Sequence, residues 1–113
     1  MKPGKDYVPG KRDVVWLEFA PQTGHEQSGR RPELVISPKE YNDKAGLAIF
    51  CPITSKEKGY PFEVKNHIKE MIKGVILSDQ VKSLDWKKRK AKYITRVSKK
   101  IMDNVIEKIL LIH

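Results

Sequence analysis

A short polar stretch between residues 24 and 32 concentrates side chains that can perform acid–base chemistry and bind phosphate. The stretch has the sequence GHEQSGRRP and carries one imidazole, one carboxylate, one amide and two guanidiniums, in His25, Glu26, Gln27, Arg30 and Arg31. Phosphate chemistry needs a group that takes a proton and a planar cation that holds the developing negative charge. The stretch is therefore a candidate active-site loop; a polar surface loop whose side chains only face water is the alternative.

The same stretch joins two strand-like runs, residues 14–19 and 34–36. Gly24, Ser28, Gly29 and Pro32 favour an irregular connection, because glycine and proline permit or fix backbone angles that regular structure avoids. We therefore expect a loop over residues 24–32 at the end of a sheet.

The chain is basic, and its charge is localised. It has 113 residues, a size that fits a single domain over residues 1–113 with a modest core, and its formal net charge is +9. Residues 82–100 hold nine basic side chains and one acidic one. A polyanionic partner is the expectation, with a merely solubilising basic face as the alternative. Residues 1–12 are predicted to form a basic tail.

Several classes of protein are disfavoured by composition. The single cysteine, Cys51, excludes an internal disulfide and lies in an apolar run typical of buried packing. No apolar run approaches the roughly 18 residues of a membrane span, and no signal peptide is evident, so a cytoplasmic protein without membrane contact is predicted. His25, His67 and His113 lack metal-ligand spacing, and no phosphate-binding glycine loop occurs, so neither metal nor cofactor is expected.

Short apolar runs predict strands over Asp13–Phe19, 33–37, 47–53, 62–65, 74–77 and 90–96. Residues 38–44 predict one helical turn capped by Ser37, and Ser98 is the expected cap of a terminal helix. The apolar stripe of that helix comprises Val97, Ile101, Met102, Val105, Ile106, Ile109 and Leu110. The fold class is thus a mainly antiparallel β-barrel with a C-terminal α-helix. The pattern alone does not choose an SH3-like barrel over an OB-like one.

The first strand carries apolar side chains on both faces. Val15, Leu17 and Phe19 alternate with Val14 and Trp16. A barrel strand that also contacts a second subunit is the interpretation that this pattern favours.

The motif Gly-His-Glu-Gln-x-Gly-x-Arg-Pro resembles the corresponding loop of the MazF/PemK toxins, the endoribonucleases called mRNA interferases. The resemblance continues in order through SP, CPIT, KGYPFEV, GVILSDQVKS and DW, at residues 37–38, 51–54, 58–64, 74–83 and 85–86. It covers nearly the whole chain and implies an SH3-like barrel that forms a homodimer. It also implies metal-independent cleavage of single-stranded RNA, in which the ribose 2′-hydroxyl attacks its own phosphate. The products would carry a 2′,3′-cyclic phosphate and a 5′-hydroxyl, and a MazE-like antitoxin with an acidic tail would compete for the basic surface.

The resemblance assigns roles in catalysis. Arg31 matches the family's arginine before proline and would hold two phosphate oxygens; a structural ion pair is its alternative. Glu26 would take the 2′-hydroxyl proton, or else fix Arg31 in place. Thr54 would donate a hydrogen bond to the scissile phosphate, or else only cap a strand end. His25 would protonate the 5′-oxygen, or else have no task. Asp79 matches an acid–base aspartate of the PemK branch, although Leu77 stands where that branch has its arginine.

Candidate RNA contacts combine cations with an aromatic ring, because single-stranded RNA is held by phosphate neutralisation and base stacking. Trp86 with Lys87 and Arg89 forms one such group, and burial in the core is the alternative for Trp86. The other candidates are Lys56, Lys58, Gln80, Lys82, Gln27 and Arg30, of which Gln80 would read a base edge.

Two functions from other classes remain open at this point. The same fold family includes CcdB-type toxins that poison DNA gyrase, although those lack the Glu-Gln-x-Gly-x-Arg-Pro loop. A non-catalytic RNA-binding relative that keeps only the basic surface is the other.

Overall fold

The structure is a computed structural model that describes residues 7–19, 29–66 and 74–112. His25, Glu26 and Gln27 of the predicted active-site loop lie outside the described residues, as do residues 67–73 between the predicted strands 62–65 and 74–77.

The architecture is mainly antiparallel β with a C-terminal helix, as the sequence predicts. The elements are β1 (Asp13–Phe19), β2 (Gly29–Val35), α1 (Lys39–Ala45), β3 (Ala48–Thr54), β4 (Glu63–Asn66), β5 (Gly74–Leu77), β6 (Lys82–Leu84), β7 (Lys92–Arg96) and α2 (Lys99–Ile112). The strands follow the order β4-β5-β3-β2-β1-β7, and β6 pairs with β3 away from this path. The predicted bounds of β1 and β5 are confirmed.

Strand β1 has apolar side chains on both faces because the sheet buries both faces within the chain. Val14 joins a core cluster with Leu34, Val105 and other residues that α2 covers. Val15 and Leu17 join a second cluster with Phe50 on the opposite face. Intrachain packing therefore accounts for the pattern, and contact with a second subunit stays a prediction.

Helix α2 begins where predicted, because the Ser98 Oγ accepts a hydrogen bond of 3.1 Å from the Ile101 amide. Its residues Met102 and Val105 are buried against the core. Leu110, which was predicted to belong to the apolar stripe, is 73% exposed. Each step of four residues turns by about 40° more than one full helical turn, so the row that starts at Met102 drifts to solvent by Leu110.

Strand β2 begins at Gly29, so the prediction of an irregular loop through Pro32 is wrong for residues 29–32. These residues pair with β1, with Arg31 opposite Leu17. Strand β3 pairs with β2 only from Glu33 onward, so Pro32 has no partner on the β3 side. Proline, which has no N–H, is tolerated at such an unpaired position. Strand β6, three residues with the sequence KSL, was not predicted, because it is too short and polar to show a pattern.

Ser37 does not cap helix α1, contrary to the prediction, since Pro38 occupies the cap position. The Ser37 hydroxyl instead donates to the side-chain oxygen of Asn42 and accepts from the Ile49 amide at 2.8 Å. Asn42 is fully buried and donates to the Pro9 carbonyl at 2.7 Å. This network ties the N-terminal segment to α1 and β3.

Residues 7–12, predicted as part of a basic tail, pack against the sheet. The Tyr7 hydroxyl donates to Asp13 at 2.7 Å, and burial beside this carboxylate raises the pKa of Tyr7 well above its usual value. The Arg12 backbone bridges Val35 and Val97, with hydrogen bonds of 3.0 and 2.9 Å. The packed segment therefore joins β2 to the connection between β7 and α2.

Candidate active site

The two adjacent arginines point to opposite faces of the sheet, because Gly29–Val35 is a strand and side chains alternate along a strand. Arg31 lies opposite Leu17, on the face that carries the second core cluster. Arg30 lies opposite Glu18 and stacks its guanidinium over the Trp16 ring, 4.7 Å from the centroid. The structure therefore does not bring Arg30 and Arg31 together.

Three cations converge on Phe19 at the end of β1. The guanidinium carbons of Arg31 and Arg89 lie 4.8 and 4.7 Å from the ring centroid, and the ammonium of Lys82 lies at 5.8 Å. The backbone hydrogen bond from the Glu18 amide to the Arg89 carbonyl, 2.8 Å long, holds the turn after β6 against β1. Cations gathered on an aromatic ring form a site that attracts an anionic phosphate.

A second group of predicted residues lines a cavity of about 170 Å³ between β3, β5 and the β3–β4 loop. Its lining comprises Thr54, Lys56, Lys58, Tyr60, Phe62, Glu63, Leu77 and Gln80. Four of these, Thr54, Lys56, Lys58 and Gln80, were predicted from the sequence, and the fold brings them together.

The β3–β4 loop is held by hydrogen bonds at its two ends. The Thr54 hydroxyl accepts from the Lys56 amide at 3.1 Å, so it performs the strand-end role that was the alternative for it. The Glu63 carboxylate accepts from the amides of Lys58 and Gly59, with a shortest distance of 2.9 Å. These bonds fix the backbone that carries both lysines.

Sequence reasoning missed an aromatic pair in this cavity. The rings of Tyr60 and Phe62 stack with centroids 5.2 Å apart, and Tyr60 is 50% exposed. The motif KGYPFEV, which places both rings beside a lysine, was the available signal.

The two groups lie on the same face of the sheet. Glu33 on β2 pairs with Pro52 on β3, and Arg31 and Thr54 lie two residues beyond this pair on their respective strands. A step of two residues returns a side chain to the same face, so Arg31 and Thr54 face the same side. Gly74 allows β5 to approach Thr54, because a Cβ at Gly74 would lie 2.2 Å from the Thr54 carbonyl oxygen.

Glu33 is a carboxylate that sequence reasoning overlooked. It lies between Arg31 and Val35 on β2 and is 1% exposed. Burial raises its pKa to about 7, while Lys82, Arg31 and Arg89 oppose the rise. Glu33 lies two residues after Arg31, a spacing that places both on one face of a strand, and this spacing was the available signal in the sequence. A glutamate within a strand usually faces water, however.

Trp86 is not available for base stacking, so this prediction is wrong. The side chain is 6% exposed and packs with Phe50 in the second core cluster. Its Nε1–H donates to the Asn42 carbonyl at 3.0 Å. Burial in the core, the alternative considered for Trp86, is what the structure shows. Lys87 is exposed and lies 5.7 Å from the indole centroid.

The remaining predicted residues are less closely grouped. Asp79 is half-buried, and its Oδ1 accepts no hydrogen bond from the part of the chain that the structure describes. Burial raises the pKa of the Cys51 thiol to about 12, with Glu33 and Asp79 adding to the rise, which agrees with a packing role. Among residues 7–19, 29–66 and 74–112, no group of three His, Cys, Asp or Glu side chains is placed to hold a metal ion.

Basic residues of the segment 82–100 contact side chains near both ends of β1. Near one end of the strand Lys90 lies 3.9 Å from Glu18, and at the other Arg96 lies 3.7 Å from Asp13. Only Lys82 and Arg89 of this segment approach the Phe19 ring in the described structure.

Residues 11–113 match the family model of the PemK-like, MazF-like toxins of type II toxin–antitoxin systems. The chain belongs to this toxin family. The toxin is 48% identical over 85 residues to the endoribonuclease toxin MazF of Escherichia coli K12, which covers 75% of this chain and 76% of that protein. It is 31% identical over 102 residues to the E. coli endoribonuclease PemK, covering 85% and 76%.

A solved structure agrees with this assignment. The toxin resembles the crystal structure of a MazE–MazF complex from Deinococcus radiodurans with a TM-score of 0.88 and 46% identity, over 95% of this chain and 96% of that one. The family and the fold suggested by the loop motif are thus confirmed. Neither described helix of the toxin is long and apolar enough to cross a membrane.

Proposed function

We propose that the toxin is an mRNA interferase, a sequence-specific endoribonuclease that cuts single-stranded RNA and thereby inhibits translation and growth. The observation that carries this proposal is the convergence of Arg31, Lys82 and Arg89 on one ring, in a chain 48% identical to an endoribonuclease toxin. Three cations on one face supply the charge that a pentacoordinate phosphate requires as it gains negative charge.

The reaction uses a nucleophile that the substrate carries. The ribose 2′-hydroxyl attacks the adjacent phosphorus, the bond to the 5′-oxygen breaks, and a 2′,3′-cyclic phosphate and a 5′-hydroxyl result. Arg31 holds the phosphate oxygens, and Thr54 donates a hydrogen bond to the same group. Glu26 accepts the proton of the 2′-hydroxyl, and His25 delivers a proton to the leaving 5′-oxygen; Asp79 is the other candidate for one of these transfers.

The RNA lies along the face shared by Arg31 and the Thr54 cavity. Lys56 and Lys58 neutralise phosphates there, and Gln80 offers an amide to a base edge. Gln27, Arg30 and Lys87 are further candidate contacts.

The proposal includes partners. A MazF of D. radiodurans is solved in complex with a MazE. By analogy, a MazE-like antitoxin with an acidic segment competes with RNA for the cations around Phe19. The toxin acts as a homodimer in the cytoplasm.

The test is cleavage of a long unstructured RNA in EDTA by the wild type, Arg31→Ala and Lys44→Ala. Lys44 lies exposed on α1 and provides a matched loss of one positive charge away from the site. We expect cuts at one recurrent short sequence, a loss of rate of about 100- to 1000-fold in Arg31→Ala, and no change in Lys44→Ala. End analysis should find cyclic phosphates.

The other outcomes separate the alternatives. RNA binding without cutting by the wild type would indicate a non-catalytic RNA-binding relative. Neither binding nor cutting, together with inhibition of gyrase supercoiling, would indicate a CcdB-like toxin. Cutting that survives Arg31→Ala would place the chemistry on other residues.

A further inference from the structure

The carboxyl of Glu33 is a buried ionisable group that the proposed reaction does not use. It lies in the middle of the sheet, with Val15 of β1 on one side and Pro52 of β3 on the other. It is 1% exposed, and its Oε1 accepts no hydrogen bond from the described residues. A carboxyl with a buried oxygen that lacks a hydrogen bond is costly to ionise, because the charge has lost its hydration.

Three cations of the described residues interact with this carboxyl without forming an ion pair with it. Arg31 lies two residues away on the same face of β2, Lys82 comes from β6, and Arg89 comes from the turn after β6. All three act electrostatically on Glu33, yet none of the described ion pairs includes it. An ionised carboxyl at this position would therefore offset part of the charge of the three cations.

The described residues place other ionisable groups near Glu33. Cys51 on β3 has a pKa of about 12 and remains a thiol around neutrality, and Asp79 flanks Cys51 from the segment after β5. Glu18 on β1 points to the opposite face and contacts Lys90. Among these described neighbours, Glu33 is the group whose pKa of about 7 places its proton exchange at neutral pH.

We propose that Glu33 is a positioning residue that couples the uptake of one proton to the binding of RNA by Arg31, Lys82 and Arg89. Ionised Glu33 attracts these cations toward the sheet and cancels part of their charge. Protonated Glu33 leaves the three cations free to bind phosphate. The inference rests on RNA as the ligand of the proposed function.

The sign of the coupling follows from the charges. A bound phosphate adds a negative charge near Glu33 and disfavours its ionised form, so the pKa of Glu33 rises further in the complex. RNA binding is then strongest below the pKa of the free protein, and affinity is lost as pH rises through it. Each unit by which RNA raises this pKa corresponds to a tenfold loss of affinity across the transition.

The experiment measures binding of a 2′-O-methyl RNA oligonucleotide, which lacks the attacking hydroxyl, by fluorescence anisotropy at constant ionic strength from pH 5.5 to 8.5. The proteins are the wild type, Glu33→Gln and Glu18→Gln, the last as a matched loss of a carboxylate on the other face of the sheet. We expect affinity to fall by about tenfold in the wild type and in Glu18→Gln. In Glu33→Gln affinity should fall less over this pH range, and binding above pH 8 should be tighter than in the wild type.

Histidine is the side chain that commonly changes charge near neutral pH, and His25 belongs to the predicted active-site loop, so the measurement is repeated in a His25→Gln background. The His25→Gln protein should still lose affinity as the pH rises, and adding Glu33→Gln to it should remove this loss. The carboxyl-carbon NMR resonance of Glu33 gives an independent result: it should titrate near pH 7 in the free protein and at higher pH with the oligonucleotide.

Binding with the same pH profile in Glu33→Gln, or a Glu33 resonance that titrates near the ordinary pH of a glutamate, would overturn the inference and leave the proposed function standing. Failure of every protein to bind the oligonucleotide at any pH would instead refute the proposed function, and the coupling with it.

Discussion

Replacing Glu33 with glutamine should stabilise the toxin above neutral pH, even though it removes a charge from a basic protein. The pKa of the Glu33 carboxyl rises from 4.5 to about 7 on folding, chiefly because burial disfavours the ionised form. A difference of this size corresponds to about 3 kcal/mol of unfolding free energy. Glutamine has nearly the same shape and no ionised form, so the variant escapes this cost.

The pH range of the effect follows from the direction of the shift. Below pH 4.5 both the folded and the unfolded wild type hold the proton, and Glu33 costs nothing. As pH rises from 4.5 to about 7, the unfolded chain releases the proton while the folded chain keeps it, so the wild type loses stability. Above pH 7 the loss is complete. The stability difference between Glu33→Gln and the wild type should therefore grow by about 3 kcal/mol between these limits and then stay constant.

The assay is urea unfolding at pH 5, 6, 7 and 8, followed by tryptophan fluorescence at one protein concentration, because an oligomer's apparent stability depends on concentration. Glu18→Gln serves as the control for the loss of one carboxylate at an exposed position of the neighbouring strand. A stability difference between Glu33→Gln and the wild type that does not change between pH 5 and 8 would refute the reasoning.

Two further substitutions test the packing that positions the site. Gly74→Ala should destabilise the toxin by about 2–4 kcal/mol in the same assay, because the new Cβ would lie 2.2 Å from the Thr54 carbonyl oxygen at a backbone φ of +145°; a loss under about 1 kcal/mol would contradict this close approach. Trp86→Phe should cost about 1–3 kcal/mol, because it leaves the buried Asn42 carbonyl without its indole donor. RNA affinity measured on the folded variant should equal that of the wild type, and a marked loss would restore Trp86 as a stacking residue.

The sequence predicted best the elements with strong local signals. The bounds of β1 follow from an apolar run with Pro21 two residues beyond its end, and those of β5 follow from Gly74 and the apolar residues after it. Ser98 marked the start of α2 because a serine before an apolar helical repeat supplies the first hydrogen bond of a helix. In each case residues adjacent in sequence determine where the strand or helix begins or ends.

The errors concern side chains whose burial depends on residues that are distant in sequence. The sequence around Trp86 is rich in lysine and favours exposure, but the indole reaches the Asn42 carbonyl, 44 residues away in sequence, and is buried there. Glu33 was overlooked for the same reason, since its burial depends on strands β1 and β3 on either side of it. Local patterns cannot show which polar residue a sheet will enclose.

The misplaced start of β2 has the largest consequence for function. A loop over residues 24–32 would present both arginines to one ligand, whereas a strand sends Arg30 to Trp16 and Arg31 to Phe19 on opposite faces. The same alternation places Glu33 beneath Arg31 and away from Arg30. The residue type at position 33 therefore affects the electrostatic environment of Arg31 and not that of Arg30, which makes β2 itself, as much as the loop before it, part of the catalytic apparatus that we propose.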